Sequence, residues 1–281
     1  MYRIWNNVKT SVLMAGLMGL CLGVGYLLGG RGALLPALLV GAAMNVGAYY
    51  FSDRIALATV RAVPVERADD PVLHDTVRAL AERAGLPPPR VYVSPAAAPN
   101  AFATGRSPRH SAVCVTAGLR RMLDDRELAG VIAHELAHIR HRDVLISTIA
   151  ATVAGAISWV TYLAFWFGGD DDDRNPLVAL ALLIFAPLAA ALIQMAISRS
   201  REFEADRAAA ELTGSPRGLA RALERLHAAG RRIPLPVPDA QSNLFIVAPL
   251  TGRSIAKLFM THPPVEERVA RLMAMERHGG L

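Results

Sequence analysis

Cysteine is scarce in this chain of 281 residues, which has only Cys21 and Cys114. Cys21 lies in an apolar run and Cys114 in a predicted strand, so we expect no disulfide between them and no disulfide framework. Neither cysteine belongs to a CxxC pair, which argues against a metal site built from thiolates. Nucleic-acid motifs are also absent, although the formal net charge is +6. The sequence therefore predicts neither a disulfide-stabilised domain nor a nucleic-acid partner.

Hydrophobic residues are abundant, at 53% of the sequence, and the mean hydropathy of +0.31 exceeds that of a usual soluble domain. Four apolar runs carry this excess, and each is close to the ~20 residues that cross a bilayer. We predict transmembrane helices at about 11–30, 33–51, 144–168 and 176–198. Arginines that flank these runs explain much of the positive charge, because they are attracted to anionic lipid headgroups.

The apolar runs allow two other interpretations. The first run could be a cleavable signal peptide, but it is long and has no convincing small-x-small cleavage site. The third and fourth runs could form a buried hairpin of a soluble core, but their length and near absence of charge favour membrane spans.

The distribution of basic residues predicts the orientation in the membrane. In the four-span arrangement, most basic residues beside the spans share one side: Arg3, Lys9, Arg54, Arg61, Arg140, Arg142, Arg199 and Arg201. The other side has only Arg31 and Arg174. The positive-inside rule then places both termini and the segments 53–143 and 199–281 in the cytoplasm, in a multi-pass protein of the cell (plasma or inner) membrane.

The fold class predicted is a mainly α integral membrane protein with a small β-sheet, in which four transmembrane helices carry a cytoplasmic domain. In chain order we expect a transmembrane hairpin at 1–52, the first part of the domain at 53–143, a second hairpin at 144–198 and the rest at 199–281. Within the domain, apolar periodicity predicts a helix over 71–86. Short strands are predicted at 91–93, 100–105 and 111–116.

A helix beginning at Asp124 or Asp125 carries two histidines four residues apart, and the third span could continue it. This spacing puts His134 and His138 on one face, one turn apart, where they can share a zinc ion. Glu135 is close enough to reach a water in the open position of the metal. The alternative, a helix with two surface histidines, does not easily explain a polar pair inside an apolar run.

A catalytic zinc usually has three protein ligands, so the third must lie elsewhere. The metzincin pattern would need glycine and histidine where the chain has His141 and Val144. A glutamate on a later helix would instead complete a His-His-Glu site like that of thermolysin. Glu202 is the best candidate, and Asp206, four residues on, could accept a hydrogen bond from a zinc-bound histidine. The alternative for this acidic stretch is a solvated helix face.

Four motifs in this order resemble those of the HtpX-type membrane metallopeptidases, bacterial relatives of the eukaryotic CAAX prenyl proteases. The motifs lie at 100–105, 134–138, 201–206 and 261–264, and with the two pairs of spans they cover nearly the whole chain. The resemblance implies an endopeptidase with one Zn²⁺ per chain that hydrolyses misfolded or damaged membrane proteins in stress-linked quality control. It supports His134, His138 and Glu202 as ligands and Glu135 as the base.

The same resemblance implies roles for two further segments. His262 and Arg268 would lie near the active site and stabilise the developing oxyanion. Alternatively, His262 caps the last helix and Arg268 pairs with Glu267 or Asp206. The residues Asn100, Ala101, Phe102 and Ala103 would form an exposed strand to which a peptide substrate adds as a further strand, or else an ordinary sheet edge.

Two other functions stay open on the sequence. One is a CAAX-type processing protease acting on lipidated C-termini, for which four spans are too few to enclose a membrane chamber. The other is a non-catalytic zinc-bound membrane scaffold, against which the intact Glu135 argues. The expected partners are polypeptide or membrane-protein substrates and the lipid bilayer, with no oligomeric state predicted.

Overall fold

The structure, a computed structural model, describes residues 2–146, 199–230 and 263–277. It begins with two long helices, α1 (Tyr2–Gly29) and α2 (Leu34–Thr59), joined by a 3₁₀ turn over Gly30–Ala33. Among the described residues, one helical stretch, Gly30–Thr59, is long and apolar enough to cross a membrane. The third and fourth predicted spans lie almost wholly outside the described residues, so the four-span arrangement stays a prediction.

Close packing joins α1 to α2. A side chain at Gly25 would collide with Ala37, and one at Gly41 would collide with Met18. The hairpin therefore uses glycine where the two helices approach each other closely.

The second helix continues past the predicted end of its span at residue 51 and docks the sheet. Beyond the apolar run, Asp53 accepts a hydrogen bond of 2.8 Å from Arg90. Ala56 and Leu57, one turn further, pack in a small buried cluster that includes Phe102. The end of α2 is thus a rigid connection between the apolar stretch and the rest of the domain.

Within the described part of the chain, the sheet has four strands: β1 (Val63–Pro64), β2 (Arg90–Ser94), β3 (Ala101–Ser107) and β4 (His110–Thr116). Their order is β1-β2-β4-β3; β2 and β4 are parallel, and the outer pairs are antiparallel. The three predicted strands are confirmed, and so is the mainly helical fold with a small sheet. Strand β1 is not predicted from the sequence, because two residues that include a proline give no alternation of apolar and polar side chains.

The remaining helices are α3 (Pro71–Arg83), α4 (Ala117–Met122), α5 (Asp125–His141), α6 (Arg199–Thr213), α7 (Arg217–Gly230) and α8 (Val265–Arg277). The predicted helix over 71–86 is confirmed but ends at Arg83, because Gly85 takes a left-handed conformation with φ of 68°. The core lies around α5, which packs against α3, β3, α6 and α7. Its buried apolar side chains include Leu128, Ile132 and Leu136.

Both ends of α5 are fixed by local chemistry. Asp124 caps the first turn, and Glu127 reaches back to the Asp124 backbone N–H in a capping box. At the other end, Arg142 adopts a left-handed conformation with φ of 61°, and helical residues resume at Asp143. The helix therefore does not run on unbroken toward the third predicted span.

The tight contact between α5 and α7 generates a stability prediction. A Cβ atom at Gly130 would lie 2.5 Å from the Leu219 backbone nitrogen. We expect Gly130→Ala to lower the free energy of unfolding by about 1–3 kcal/mol, because backbone cannot move aside cheaply. The thermal midpoint in detergent would then fall by roughly 2–4 °C per kcal/mol.

Gly47→Ala is the matched control, since a Cβ atom at this helical glycine would have no atom of the described residues within 4 Å. We expect it to leave the midpoint unchanged or slightly raised, because alanine favours a helix over glycine. Equal midpoints for Gly130→Ala and the unmodified protein would contradict the tight α5–α7 contact.

Candidate metal centre

Three predicted ligands converge where α5 meets α6. His134 and His138 lie one turn apart, and their Nε2 atoms are 3.2 Å from each other. Glu202 on α6 faces both, with its Oε1 3.4 Å from His138 Nε2 and its Oε2 3.7 Å from His134 Nε2. The ligand atoms of all three side chains lie within 4.8 Å of one another, which is the spacing of donors around a single ion.

Glu135 lies beside this cluster and faces the sheet. Its Oε2 accepts a hydrogen bond of 2.8 Å from the backbone N–H of Ala103 on β3. The carboxylate is 7% exposed, so the contact fixes it in a largely dry environment. Glu135 is therefore held between the candidate ligands and the edge strand of the sheet.

The segment Asn100–Ala103, predicted to bind a peptide substrate, has buried side chains, and its substrate role stays a prediction. Asn100, Ala101, Phe102 and Ala103 are all buried, at 2%, 1%, 3% and 7% exposure. The reason is that β3 is enclosed on both faces, with Phe102 packing toward α2 and Ala101 and Ala103 belonging to the main core. Among the described strands, β3 stands at the edge of the sheet and pairs with β4.

Asp206 and Arg268 form a buried pair behind the first histidine. Asp206 Oδ1 is 3.0 Å from His134 Nδ1, as the sequence spacing predicted for a supporting carboxylate. Arg268 on α8 donates to both oxygens of Asp206, at 2.8 and 2.6 Å, and is fully buried. Of the alternatives left open for Arg268, the structure shows the pair with Asp206, while Glu267 accepts from Arg271 instead. His262 lies outside the described residues.

The second histidine has an equivalent partner that sequence reasoning missed. Asp143 Oδ2 is 3.2 Å from His138 Nδ1, and Arg201 Nη1 donates to Asp143 Oδ1 at 2.8 Å. No helical periodicity points to Asp143, which is five positions after His138. The only signal in the sequence was a carboxylate five residues after the HELAH motif at 134–138.

The charges around the cluster shift several pKa values. Burial by itself would lower the pKa of His138, but the hydrogen bond with Asp143 and the charges of Glu202 and Glu135 raise it to about 9. Burial would raise the pKa of Asp206, but Arg268 and His134 lower it to about 2. Asp206 is thus ionised at neutral pH.

The charge balance of these buried groups fits a divalent cation. Among the described residues, four carboxylates surround the histidines, from Glu135, Asp143, Glu202 and Asp206. Two guanidinium groups, Arg201 and Arg268, oppose them, so two negative charges remain when both imidazoles are neutral. Two imidazole nitrogens and one carboxylate form a donor set that zinc accepts readily.

Comparison with known proteins agrees with this geometry. The sequence profile of peptidase family M48 matches residues 67–276. A "Protease HtpX homolog" of Pelotomaculum thermopropionicum is 51% identical over 278 residues, covering 96% of this chain and 99% of the relative. The protein of the same name from Paraburkholderia phytofirmans is 48% identical over 282 residues, covering 98% and 99%.

A solved structure shares the fold. The crystal structure of S. mikatae Ste24p matches with a TM-score of 0.51 and 18% sequence identity, over 96% of this chain and 66% of Ste24p. At that identity the likeness concerns the fold alone. The family match and the full-length relatives confirm the resemblance found in the sequence: the chain belongs to peptidase family M48, as a membrane metallopeptidase of the HtpX type.

Proposed function

We propose that His134, His138 and Glu202 bind one zinc ion, and that the protein cleaves misfolded or damaged membrane proteins at the cytoplasmic face. The main support for the metal site is that these three side chains converge, with Glu135 beside them. A zinc ion bound there would supply a Lewis acid that polarises the scissile carbonyl and makes water nucleophilic near neutral pH.

The side chains of this chain then divide the remaining work. Glu135 takes a proton from the attacking water and delivers it to the leaving amine. The backbone N–H of Ala103 orients Glu135 for both transfers. Asp206 accepts from His134 Nδ1 and keeps His134 Nε2 free for the metal.

Arg268 is better suited to anchoring Asp206 than to stabilising an oxyanion. Its Nε and Nη2 atoms already donate to Asp206, and its side chain is fully buried. His262 remains our candidate for the oxyanion-stabilising group.

The membrane setting supports the choice of substrate. The sheet that carries β3 is docked on the last turns of α2, after the span predicted at 33–51, so the candidate site is tethered close to the bilayer surface. An extended segment of a membrane protein would add to the outer edge of β3, since backbone pairing does not depend on side-chain exposure. The cytoplasmic side follows from the arginines that flank the apolar runs.

Two substitutions separate metal binding from catalysis. We expect Glu135→Gln to retain zinc and to lower casein cleavage at least a hundredfold, because the amide cannot take a proton. We expect Glu202→Ala to lose zinc as well, because two imidazoles alone hold the ion weakly. Metal analysis and a cleavage assay on the purified variants would measure both.

Glu82→Gln is the control for removing a carboxylate, since Glu82 forms an exposed helical pair with Arg78 and should affect neither readout. Normal zinc content in Glu202→Ala would rule out the third ligand. Cleavage insensitive to chelators would favour a scaffold, and selective cleavage of prenylated C-terminal peptides would favour a CAAX-type enzyme.

The raised pKa of His138 predicts a pH dependence for zinc binding. Because the pKa is about 9 without metal, His138 carries a proton at neutral pH that zinc must displace. The apparent zinc affinity should therefore rise by about tenfold per pH unit from pH 7 and level off near pH 9. Competition with a chelator of known proton affinity would measure this, and a flat profile would contradict it.

The proposed orientation has its own test. A C-terminal fusion to green fluorescent protein should fluoresce in cells, whereas a fusion to alkaline phosphatase should be inactive, because the C-terminus is predicted to be cytoplasmic. The opposite pair of results would overturn the orientation without affecting the metal site.

A further inference from the structure

Asp143 joins a histidine of the candidate metal centre to a buried arginine. Its two oxygens contact His138 Nδ1 at 3.2 Å and Arg201 Nη1 at 2.8 Å. Both charged residues are buried, with Asp143 at 3% and Arg201 at 7% exposure. Since an ionised carboxylate only accepts, His138 donates its Nδ1–H to Asp143, and its Nε2 faces Glu202 at 3.4 Å.

The local backbone is shaped to make this contact. In a continuous helix, a residue five positions on lies ~140° round the axis and could not face His138. Arg142 breaks the helix in a left-handed conformation that residues with side chains rarely adopt, and its backbone N–H closes on the carbonyls of His138 and Ile139. The chain therefore turns back at Arg142 and places Asp143 beside His138.

The arrangement repeats the one at the other histidine. His134 meets Asp206, which is held by Arg268, just as His138 meets Asp143, which is held by Arg201. Each imidazole thus has a carboxylate at Nδ1, and each carboxylate has a guanidinium behind it. Such pairs orient metal-bound histidines and make them stronger ligands.

The pair of Asp143 and Arg201 also joins two segments that are far apart in the sequence. Asp143 directly precedes the stretch predicted as the second membrane hairpin, and Arg201 follows that stretch, 58 residues later. Arg201 is also the neighbour of Glu202, the candidate third ligand. The contact therefore brings together, beside the candidate ligands, the two residues that flank the predicted hairpin.

We propose that Asp143 is a positioning residue for His138, and that its pair with Arg201 couples the ends of the second membrane hairpin to the geometry of the metal centre. This proposal rests on the proposed metal site. The rival explanation is an ordinary buried ion pair that holds α5 to α6 and has no bearing on the metal.

The test is the zinc affinity of the full-length protein in detergent, measured by chelator competition at one fixed pH. We expect Asp143→Asn to bind zinc roughly 10- to 100-fold more weakly, as is typical when a carboxylate behind a ligand is lost. Cobalt-loaded Asp143→Asn should also show shifted visible absorption bands, because a neutral amide is a weaker acceptor for His138 Nδ1–H than a carboxylate. Asp75→Asn, which removes an exposed partner of Arg67, is the matched control and should change neither readout.

A charge swap, Asp143→Arg with Arg201→Asp, separates the two explanations. It restores an ion pair between the helices but leaves His138 without its acceptor, so we expect zinc affinity to stay low. Recovery of full affinity in the swap, or unchanged affinity in Asp143→Asn, would overturn the proposal. If Asp143→Asn does not fold, the swap decides alone by the same criterion.

His138→Ala in the same assay keeps this proposal distinct from the one it rests on. Strong loss of zinc in His138→Ala with normal affinity in Asp143→Asn would reject the positioning role alone. Normal affinity in His138→Ala would reject the metal site itself, and the positioning role with it.

Discussion

Mutual neutralisation of buried charges is the constraint on which this structure depends. Four carboxylates, two guanidinium groups and two imidazoles meet between α5, α6 and α8, with almost no exposure to water. An unpaired charge in such a place is costly, and removing one partner of a buried pair typically destabilises a protein by about 3–5 kcal/mol. The guanidinium groups therefore have to face carboxylates, and a divalent cation would balance the two negative charges that remain when both imidazoles are neutral.

The surrounding elements serve this arrangement. The capping box at Asp124 and the left-handed Arg142 fix the length of α5, so that its last two turns present both histidines to α6. The close α5–α7 contact at Gly130 fixes the helix laterally. The α2 helix carries the sheet, and the sheet offers the Ala103 N–H that holds Glu135. Direct packing and a hydrogen bond thus connect α2 through the sheet to the candidate metal centre.

The sequence predicted the candidate site best where the functional residues follow the repeat of an α-helix. The four-residue spacing of His134 and His138, and of Glu202 and Asp206, predicted four groups that the structure brings together. It was uninformative where the backbone departs from the repeat. Asp143 reaches His138 only because the backbone of Arg142 is in the left-handed conformation, which no pattern in the sequence predicts. The burial of Asn100–Ala103 also could not be read from the strand itself, because it depends on α2 and α5 packing on both faces.

X-ray absorption at the zinc edge of the purified protein tests the central claim most directly, because it reads the atoms bound to the metal. Coordination by His134, His138 and Glu202 predicts two imidazole nitrogens with two or three oxygens from Glu202 and water, all at about 2.0–2.2 Å, in a four- or five-coordinate site. Sulfur scattering near ~2.3 Å, or a shell without imidazole, would contradict the site described for this protein.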